Sequence, residues 1–233
     1  MSIRYGQFCP ISKAAEVLGE RWTILIVREL LLGTSRYSDF QRALSRISPT
    51  LLTKRLQQLV DVGLVVKSTP PGQTRAEYHL TPAGRELQPV VFSLGQWGMK
   101  WARGQMGEDE LDVQMLMFDL CRQIDTTALP SDRAVIGFTF AHLPKFAHWW
   151  IVLEPKRERE LCVDHPGTPI DLQIRTDVRT LAEIWAGDTE IRTARRNGRL
   201  QATGDLQLMR TLSTWLRPGQ LAHIRPAAKP LPL

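Results

Sequence analysis

The sequence predicts an α+β protein of two domains, the first mostly helical and the second built around a sheet. Three observations lead to this prediction. Apolar residues recur at helical spacing through most of the first hundred residues, and short β-favouring runs follow one another after Ala134. The charge also differs between the halves: residues 1–107 hold 14 Lys and Arg against 7 Asp and Glu, a net +7, and residues 108–233 hold 16 against 17, a net −1.

The domain boundary is predicted at residue 107, so that the two domains span residues 1–107 and 108–233. Gly104-Gln105-Met106-Gly107 supplies two glycines, and Glu108-Asp109-Glu110 then turns the composition acidic. A basic half joined to a nearly neutral half favours a polyanionic partner for the first domain alone.

The stretch Ser48–Gly63 predicts the helix around which the first domain is organised. Ser48 suits the N-cap, Pro49 the first helical position and Gly63 the end of the helix. One face is apolar and consists of Leu52, Leu56, Leu59 and Val60. The opposite face is polar and consists of Thr50, Thr53, Lys54, Gln57 and Asp61. This polar face either bonds base edges and phosphates in a major groove or is the solvated side of an ordinary core helix.

Shorter helices precede this helix and a hairpin follows it. Ser12 is predicted to cap a first helix that ends at Gly19, and Trp22–Leu32 is predicted to form a core helix. Arg36 is predicted to start a third helix, which completes a helix-turn-helix arrangement. The runs 64–69 and 76–81 predict a hairpin with Arg75 at its tip. We interpret the hairpin as a wing that touches DNA; the alternative is a plain hairpin with one exposed arginine.

Thr81-Pro82-Ala83-Gly84 predicts the start of a long helix with an apolar stripe. The stripe consists of Leu87, Val90, Val91, Leu94, Trp97 and Trp101. A small helical core cannot easily cover all of it, so we expect a homodimer contact. The alternative is that the second domain covers the stripe.

The first domain also carries a series of motifs in order and without gaps across about residues 8–102. They include Cys9-Pro10-Ile11, Gly19-Glu20-Arg21-Trp22-Thr23, Arg36-Tyr37-Ser38-Asp39-Phe40, Leu51-Leu52-Thr53-Lys54-Arg55-Leu56 and Tyr78-His79-Leu80-Thr81-Pro82-Ala83-Gly84. This series resembles the HxlR family of bacterial winged helix-turn-helix regulators. The resemblance implies a homodimer, two recognition helices on an inverted-repeat operator, and transcriptional control.

These features together predict a sequence-specific transcriptional regulator, acting as a repressor, whose partner is double-stranded DNA. The predicted DNA-binding residues are Arg36, Ser38, Thr50, Thr53, Lys54, Arg55, Gln57 and Arg75, with Lys67 as a further phosphate contact. The alternative function is a lipid or small-molecule carrier that uses the winged helix only to dimerise. The basic first half argues against that alternative.

Cys9 occupies the position at which the resemblance implies a thiol sensor in some members of the family. Sensing requires an exposed thiolate of low pKa, which Lys13 and the nearby helix N-terminus would both favour. A buried structural cysteine explains the residue equally well.

The second domain predicts a mainly antiparallel sheet covered by helices. Its segments Asp171–Ile174, Asp177–Gly187 and Gly198–Asp205 resemble the end of a sterol-carrier-protein-like domain, which implies a pocket for an apolar effector. The candidate lining residues are Phe138, Phe140, Phe146, Trp149, Trp150, Trp185, Met209 and Trp215. The alternative is that these side chains fill a solid core.

No motif of the sequence indicates catalysis, a cofactor or a metal site. His142 and His148 lack a third ligand at suitable spacing, and three distant cysteines support neither a disulfide framework nor a zinc ribbon. The first residues lack a charged region followed by an apolar one, so we expect no signal peptide. No apolar run reaches the ~18–20 residues that a membrane helix needs. We therefore expect a cytoplasmic protein that is not an enzyme and has no membrane partner.

Overall fold

The computed structural model describes residues 4–103, 106–131, 133–154, 159–229 and 231. The chain divides into two compact units, unit 1 from Met1 to Trp97 and unit 2 from Gly98 to Leu233. The mixture of helices and sheet confirms the predicted α+β class.

Unit 2 begins earlier than the domain boundary that we predicted at residue 107. The reason is that residues 100–103 are tied to the rest of unit 2. The backbone N–H of Ala227 donates to the carbonyl of Lys100 at 2.7 Å, and Arg103 pairs with Asp188 at 2.6 Å. The acidic run after residue 107 marks a short turn of 3-10 helix, Glu108–Glu110, inside the unit. Gly104 and Gln105 lie outside the described residues.

The described residues of unit 1 form six helices and a two-stranded hairpin. Their bounds are α1 (Pro10–Leu18), α2 (Thr23–Leu31), α3 (Tyr37–Ala43), α4 (Pro49–Asp61), β1 (Val65–Ser68), β2 (Glu77–Leu80), α5 (Pro82–Arg85) and α6 (Gln88–Trp97). The strands pair antiparallel, with Val65 opposite Leu80. The order of elements is that of a winged helix-turn-helix domain, as predicted.

Helix α4 forms as the sequence predicts. The hydroxyl of Ser48 accepts a hydrogen bond from the backbone N–H of Leu51 at 3.3 Å, which satisfies one of the free donors at the helix start. Leu52, Leu56 and Leu59 are buried in the core of unit 1. Gly63 adopts a φ of +75°, which ends the helix at low cost.

Two of the predicted helix bounds are wrong. Helix α1 begins at Pro10 and not after Ser12, because proline suits the first helical position and Cys9 serves as the N-cap. The long helix predicted from Pro82 through Trp101 is broken into α5, α6 and a π-helical turn, Gly98–Ala102. Pro89 lacks the N–H that would continue the helix from α5, so α6 starts anew at Gln88.

The apolar stripe of α6 is only partly covered. Leu87 and Val91 are half-buried, whereas Val90, Leu94 and Trp97 are 54%, 47% and 50% exposed. These three residues lie at spacings of four and three, so they share one face of α6. We call this surface the α6 face.

Arg55 does not lie on the polar face of α4, so the prediction that it contacts DNA is wrong. Its side chain is buried, and Nη2 donates to Glu20 Oε2 at 2.6 Å. Nε donates to the carbonyl of Arg21 at 3.1 Å, and Nη1 to Oε1 of Gln58 at 2.6 Å. Arg55 therefore joins the middle of α4 to the segment that leads into α2.

The described residues of unit 2 form five further helices and a five-stranded sheet. Their bounds are α7 (Val113–Gln123), β3 (Ala134–Phe140), β4 (His148–Leu153), β5 (Glu160–Cys162), β6 (Leu172–Thr176), α8 (Val178–Ala186), α9 (Ile191–Arg196), β7 (Leu200–Gly204), α10 (Leu206–Arg210) and α11 (Leu212–Trp215). Asp177 and Asp205 cap α8 and α10 through their side chains.

The sheet of unit 2 is mainly antiparallel, as predicted. Its strand order is β5-β4-β3-β6-β7, and the central pair β3–β6 is parallel, with Phe138 opposite Ile174. The other three pairs are antiparallel. Side chains from one face of the sheet and from α7, α8 and α11 form a single hydrophobic core.

The predicted apolar pocket does not form as one site. Phe138, Phe140, Trp149 and Trp215 are buried in the core. Trp149 and Trp150 are neighbours on β4 and so point to opposite faces of the sheet, which prevents them from lining one cavity. Phe146 is exposed and stacks on Trp149 at 5.8 Å between ring centroids. Trp185 and Met209 are partly buried against the core.

No helix in the described part of the chain is both long and apolar enough to cross a membrane. Within the same residues, no three His, Cys, Asp or Glu side chains come together as a metal site.

Arg55→Ala tests the structural role of this arginine. We expect a loss of about 2–3 kcal/mol in the free energy of unfolding, because Glu20 and the carbonyl of Arg21 lose a charged donor. Urea denaturation followed by circular dichroism measures it. The adjacent variant Lys54→Ala is the control and should change stability by less than about 0.5 kcal/mol, since Lys54 is exposed. Equal stability of the two variants would contradict the role assigned to Arg55.

Candidate nucleic-acid interface

The angle between α3 and α4 is held by hydrogen bonds at the start of α4. The hydroxyl of Tyr37, at the first position of α3, donates to the carbonyl of Pro49 at 2.9 Å. The hydroxyl of Thr53 lies 3.0 Å from the same carbonyl and 3.2 Å from the Tyr37 oxygen. Tyr37 therefore positions α4, a role that we did not predict. A tyrosine at a helix start is not by itself a sequence signal, because its partner is set by the packing of the two helices.

The polar face of α4 is exposed, as a groove-binding helix requires. Thr50, Thr53, Lys54 and Gln57 are all exposed, while Leu52 and Leu56 face the core. Lys54 has no ion-pair partner among the described residues. The four side chains lie within the first nine residues of a helix, the part that contacts base edges in a helix-turn-helix protein.

Two of these side chains are already engaged within α4. Because the Thr53 hydroxyl bonds back to Pro49 and Tyr37, its methyl group is the part left for contact, and threonine methyls suit the methyl group of thymine. The amide nitrogen of Gln57 donates to Asp61 Oδ1 at 2.8 Å. That bond leaves the Gln57 oxygen free as an acceptor and holds the side chain along the helix.

The hairpin is joined to α3 through Arg36 and Glu77. Nε of Arg36 lies 3.5 Å from Oε1 of Glu77, and the two backbones form an isolated β-bridge. Arg36 is nevertheless half-exposed, so its side chain lies at the surface of unit 1. Glu77, which sequence reasoning missed, therefore ties the wing to the helix-turn-helix and sets the position of Arg36.

The remaining predicted contacts are exposed but spread over several elements. Ser38 is exposed on α3, and Arg75 is exposed in the turn between β1 and β2. Lys67 is exposed on β1, with its ammonium 5.8 Å from the ring centre of Tyr78. Of the eight predicted DNA-binding residues, Arg55 alone is buried; the other seven lie on the surface of unit 1.

The Cys9 thiol lies at the N-terminus of α1 and is half-buried. The backbone N–H groups of Ser12 and then Ile11 point at the sulfur and lower the pKa of Cys9 below its ordinary value. Lys13, which we expected to assist, instead pairs with Glu16 at 3.4 Å. The helix start therefore favours the thiolate without help from the lysine.

Comparison with known proteins agrees with both halves of this fold. Residues 17–106 match the model of the HxlR-like helix-turn-helix family, and residues 124–217 match that of the SCP-2 sterol transfer family. The chain is 36% identical over 98 residues to YvaP of Bacillus subtilis, an uncharacterized HTH-type transcriptional regulator; the match covers 41% of this chain and 91% of that protein.

Two further relatives bear the same description. The chain is 36% identical over 107 residues to sll1512 of Synechocystis, covering 46% of this chain and 79% of the relative. It is 45% identical over 91 residues to Mb3122 of Mycobacterium bovis, covering 38% of this chain and 56% of the relative. This chain belongs to the HxlR-like helix-turn-helix family, and its C-terminal part matches the SCP-2 sterol transfer family.

Proposed function

We propose that this protein is a homodimeric, sequence-specific DNA-binding transcriptional regulator in which α4 enters the major groove. The observation that carries the proposal is the exposed set Thr50, Thr53, Lys54 and Gln57 on a helix whose opposite face is buried. We further propose that unit 1, the part that the sequence predicts as residues 1–107, binds DNA and dimerises, and that unit 2, predicted as residues 108–233, forms a separate domain.

Base recognition and backbone contact fall to different residues in this proposal. Lys54 and Gln57 provide a donor and an acceptor for base edges, which differ between base pairs in the major groove. Arg36, Lys67 and Arg75 provide positive charge for phosphates, which positions the protein without selecting a sequence.

The α6 face supports the proposed dimer. A single chain leaves Leu94 and Trp97, both on the α6 face, about half exposed to water. Large apolar side chains clustered on a surface usually mark an interface. A two-fold dimer would present two copies of α4 to half-sites that lie about 34 Å, or a multiple of this distance, apart.

We propose that the protein represses transcription, because a dimer bound to an operator blocks polymerase with no further contact. The effect of an apolar effector in residues 108–233 on DNA affinity stays a prediction.

Lys54→Ala and Gln57→Ala should each weaken binding to the upstream region of the protein's own operon about tenfold or more, because a base contact is worth about 1–3 kcal/mol. Each substitution should weaken binding to a random duplex much less. Arg75→Ala should weaken both equally and reduce the slope of log affinity against log salt by about one. Gel-shift titrations at several salt concentrations measure all three.

Lys145→Ala is the control for these titrations, since Lys145 is an exposed lysine of unit 2. It should leave both affinities unchanged. Equal losses on specific and random duplex for Lys54→Ala would remove its base-reading role. A wild-type protein that binds neither duplex would favour the alternative of a carrier that uses unit 1 only to dimerise.

Leu94→Glu should convert the dimer into a monomer, because it places a charge at the centre of the α6 face. Light scattering after size exclusion should give twice the chain mass of 26.5 kDa for the wild type and 26.5 kDa for the variant. Val163→Glu is the matched control, since Val163 is 48% exposed outside this face. A dimeric Leu94→Glu variant, or a monomeric wild type, would exclude the α6 face as the interface.

Oxidation of Cys9 is a second proposed input to DNA affinity. It is favoured by the lowered pKa and partial exposure of the thiol, the two properties that make a cysteine reactive. Oxidation would place a bulkier sulfur group at the start of α1, in a segment whose Phe8 and Ile11 side chains are exposed.

The pH dependence of Cys9 alkylation tests this proposal. In the double variant Cys121→Ala/Cys162→Ala, Cys9 is the remaining cysteine. The pH at which its reaction with iodoacetamide reaches half of the maximal rate should lie below the ordinary thiol pKa of about 8.5. Adding Ser12→Pro removes the N–H with the largest effect and should raise the midpoint, whereas Ser12→Ala keeps that N–H and should raise it less. A midpoint near pH 8.5 that neither substitution changes would show that the helix start does not lower the pKa of Cys9.

A further inference from the structure

A cleft of about 420 Å³ opens on the surface of unit 2, beside α9, α10 and α11. Its apolar lining residues are Ile191, Met209 and Leu212, of which Ile191 and Leu212 are buried; we call these three residues the apolar base. Four exposed arginines also line it, Arg192, Arg195, Arg196 and Arg210. We call this site the arginine cleft. Its volume lies in the range of about 300–1,000 Å³ that small-molecule sites occupy.

None of the four arginines of the cleft has a carboxylate partner among the described residues, whereas most of the arginines elsewhere in unit 2 do. Six arginines elsewhere in the unit form ion pairs with Asp or Glu: Arg103, Arg122, Arg133, Arg179, Arg199 and Arg217. Within the part of the chain that the structure describes, none of the four cleft arginines pairs with a carboxylate. Arg195 donates through Nη1 to the carbonyl of Met209 at 3.1 Å, which fixes one guanidinium at the wall and leaves its other N–H groups free.

Collecting these charges is unfavourable for the isolated protein. Arg192 and Arg196 lie one turn apart on α9, and Arg192 and Arg195 three residues apart; like charges at these spacings destabilise a helix by about 0.2–0.5 kcal/mol per pair. The negative end of the α9 dipole favours Arg195 and Arg196 in the last turn. It does not account for Arg192 in the first turn or for Arg210 on α10.

We propose that the arginine cleft binds a small amphipathic anion, with its phosphate or carboxylate group held by the guanidinium groups and a short hydrocarbon portion lying on the apolar base. Guanidinium groups bind such oxyanions through paired N–H donors, which is stronger than a single charge contact. The apolar base favours a ligand with a hydrocarbon part over a nucleic-acid backbone, which offers none at its phosphates. The site belongs to unit 2 and does not depend on DNA binding by unit 1.

Isothermal titration of the full chain with n-octyl phosphate, sodium octanoate, inorganic phosphate and octyltrimethylammonium tests the proposal. We expect one n-octyl phosphate per chain, bound at least about tenfold more tightly than inorganic phosphate because the tail buries apolar surface. The cationic amphiphile should not bind. Comparing octyl phosphate with octanoate shows whether the cleft prefers a phosphate or a carboxylate.

The double variant Arg192→Gln/Arg196→Gln should weaken octyl phosphate binding at least about tenfold, since charged hydrogen bonds are lost. Arg175→Gln is the matched control, because Arg175 is an exposed arginine of β6 outside the cleft, and it should bind as the wild type does. The double variant should melt no lower than the wild type, since it relieves repulsion between like charges.

Unchanged binding in the double variant, or equal binding of the cationic and anionic amphiphiles, would overturn the proposal. A second pair of results would also overturn it: the wild type does not bind octyl phosphate, and the double variant binds duplex DNA less tightly than the wild type. The arginines would then contact DNA and not a small anion.

Discussion

The contact between Arg55 and Glu20 is the constraint on which the arrangement of unit 1 depends. It joins the middle of α4 to the segment before α2 across 35 residues of sequence. Leucines alone would let α4 slide or rotate against the core, because hydrophobic contact is not directional. A guanidinium with two acceptors outside the helix, Glu20 and the carbonyl of Arg21, is directional, so it sets the face that α4 turns outward. The Tyr37–Pro49 bond then fixes the start of the same helix.

The outward face of α4 and the α6 face share one property: each is exposed to water in the single chain. The first is polar and exposes Lys54 without a partner, which suits an anionic, hydrated duplex. The second exposes Leu94 and Trp97, which suits another apolar surface. A domain of this size has too little interior to bury every apolar residue of α6. The two surfaces therefore differ in chemistry in the way that a DNA contact and a subunit contact do.

Arginine is used in two ways in unit 2. Arg179 pairs with Glu108 and Arg199 with Glu183, so each joins two separate elements within the unit. Arg192, Arg196 and Arg210 join no element to another through a carboxylate and instead surround an apolar depression. The net charge of the second half is close to zero, and it conceals this local excess of positive charge.

Local sequence patterns determined where most of the helices and strands of both units lie along the chain. Spacing of leucines and a Ser-Pro start predicted α4, and β-favouring runs predicted the strands of the sheet, since periodicity and capping depend on nearby residues alone. The same patterns identified Thr50, Thr53, Lys54 and Gln57 as exposed.

Tertiary structure decided the partners of charged and aromatic residues. Arg55 looked like its neighbour Lys54 in the sequence, but it lies at the edge of the buried face of α4, where Glu20 meets it. Phe138, Phe140, Trp149 and Trp215 of unit 2 lie in the core, whereas Trp150 lies on the opposite face of β4 from Trp149. Arg210 of α10 joins the three cleft arginines of α9 only when the two helices pack together. Such contacts join residues distant in the chain, and a local pattern cannot specify them.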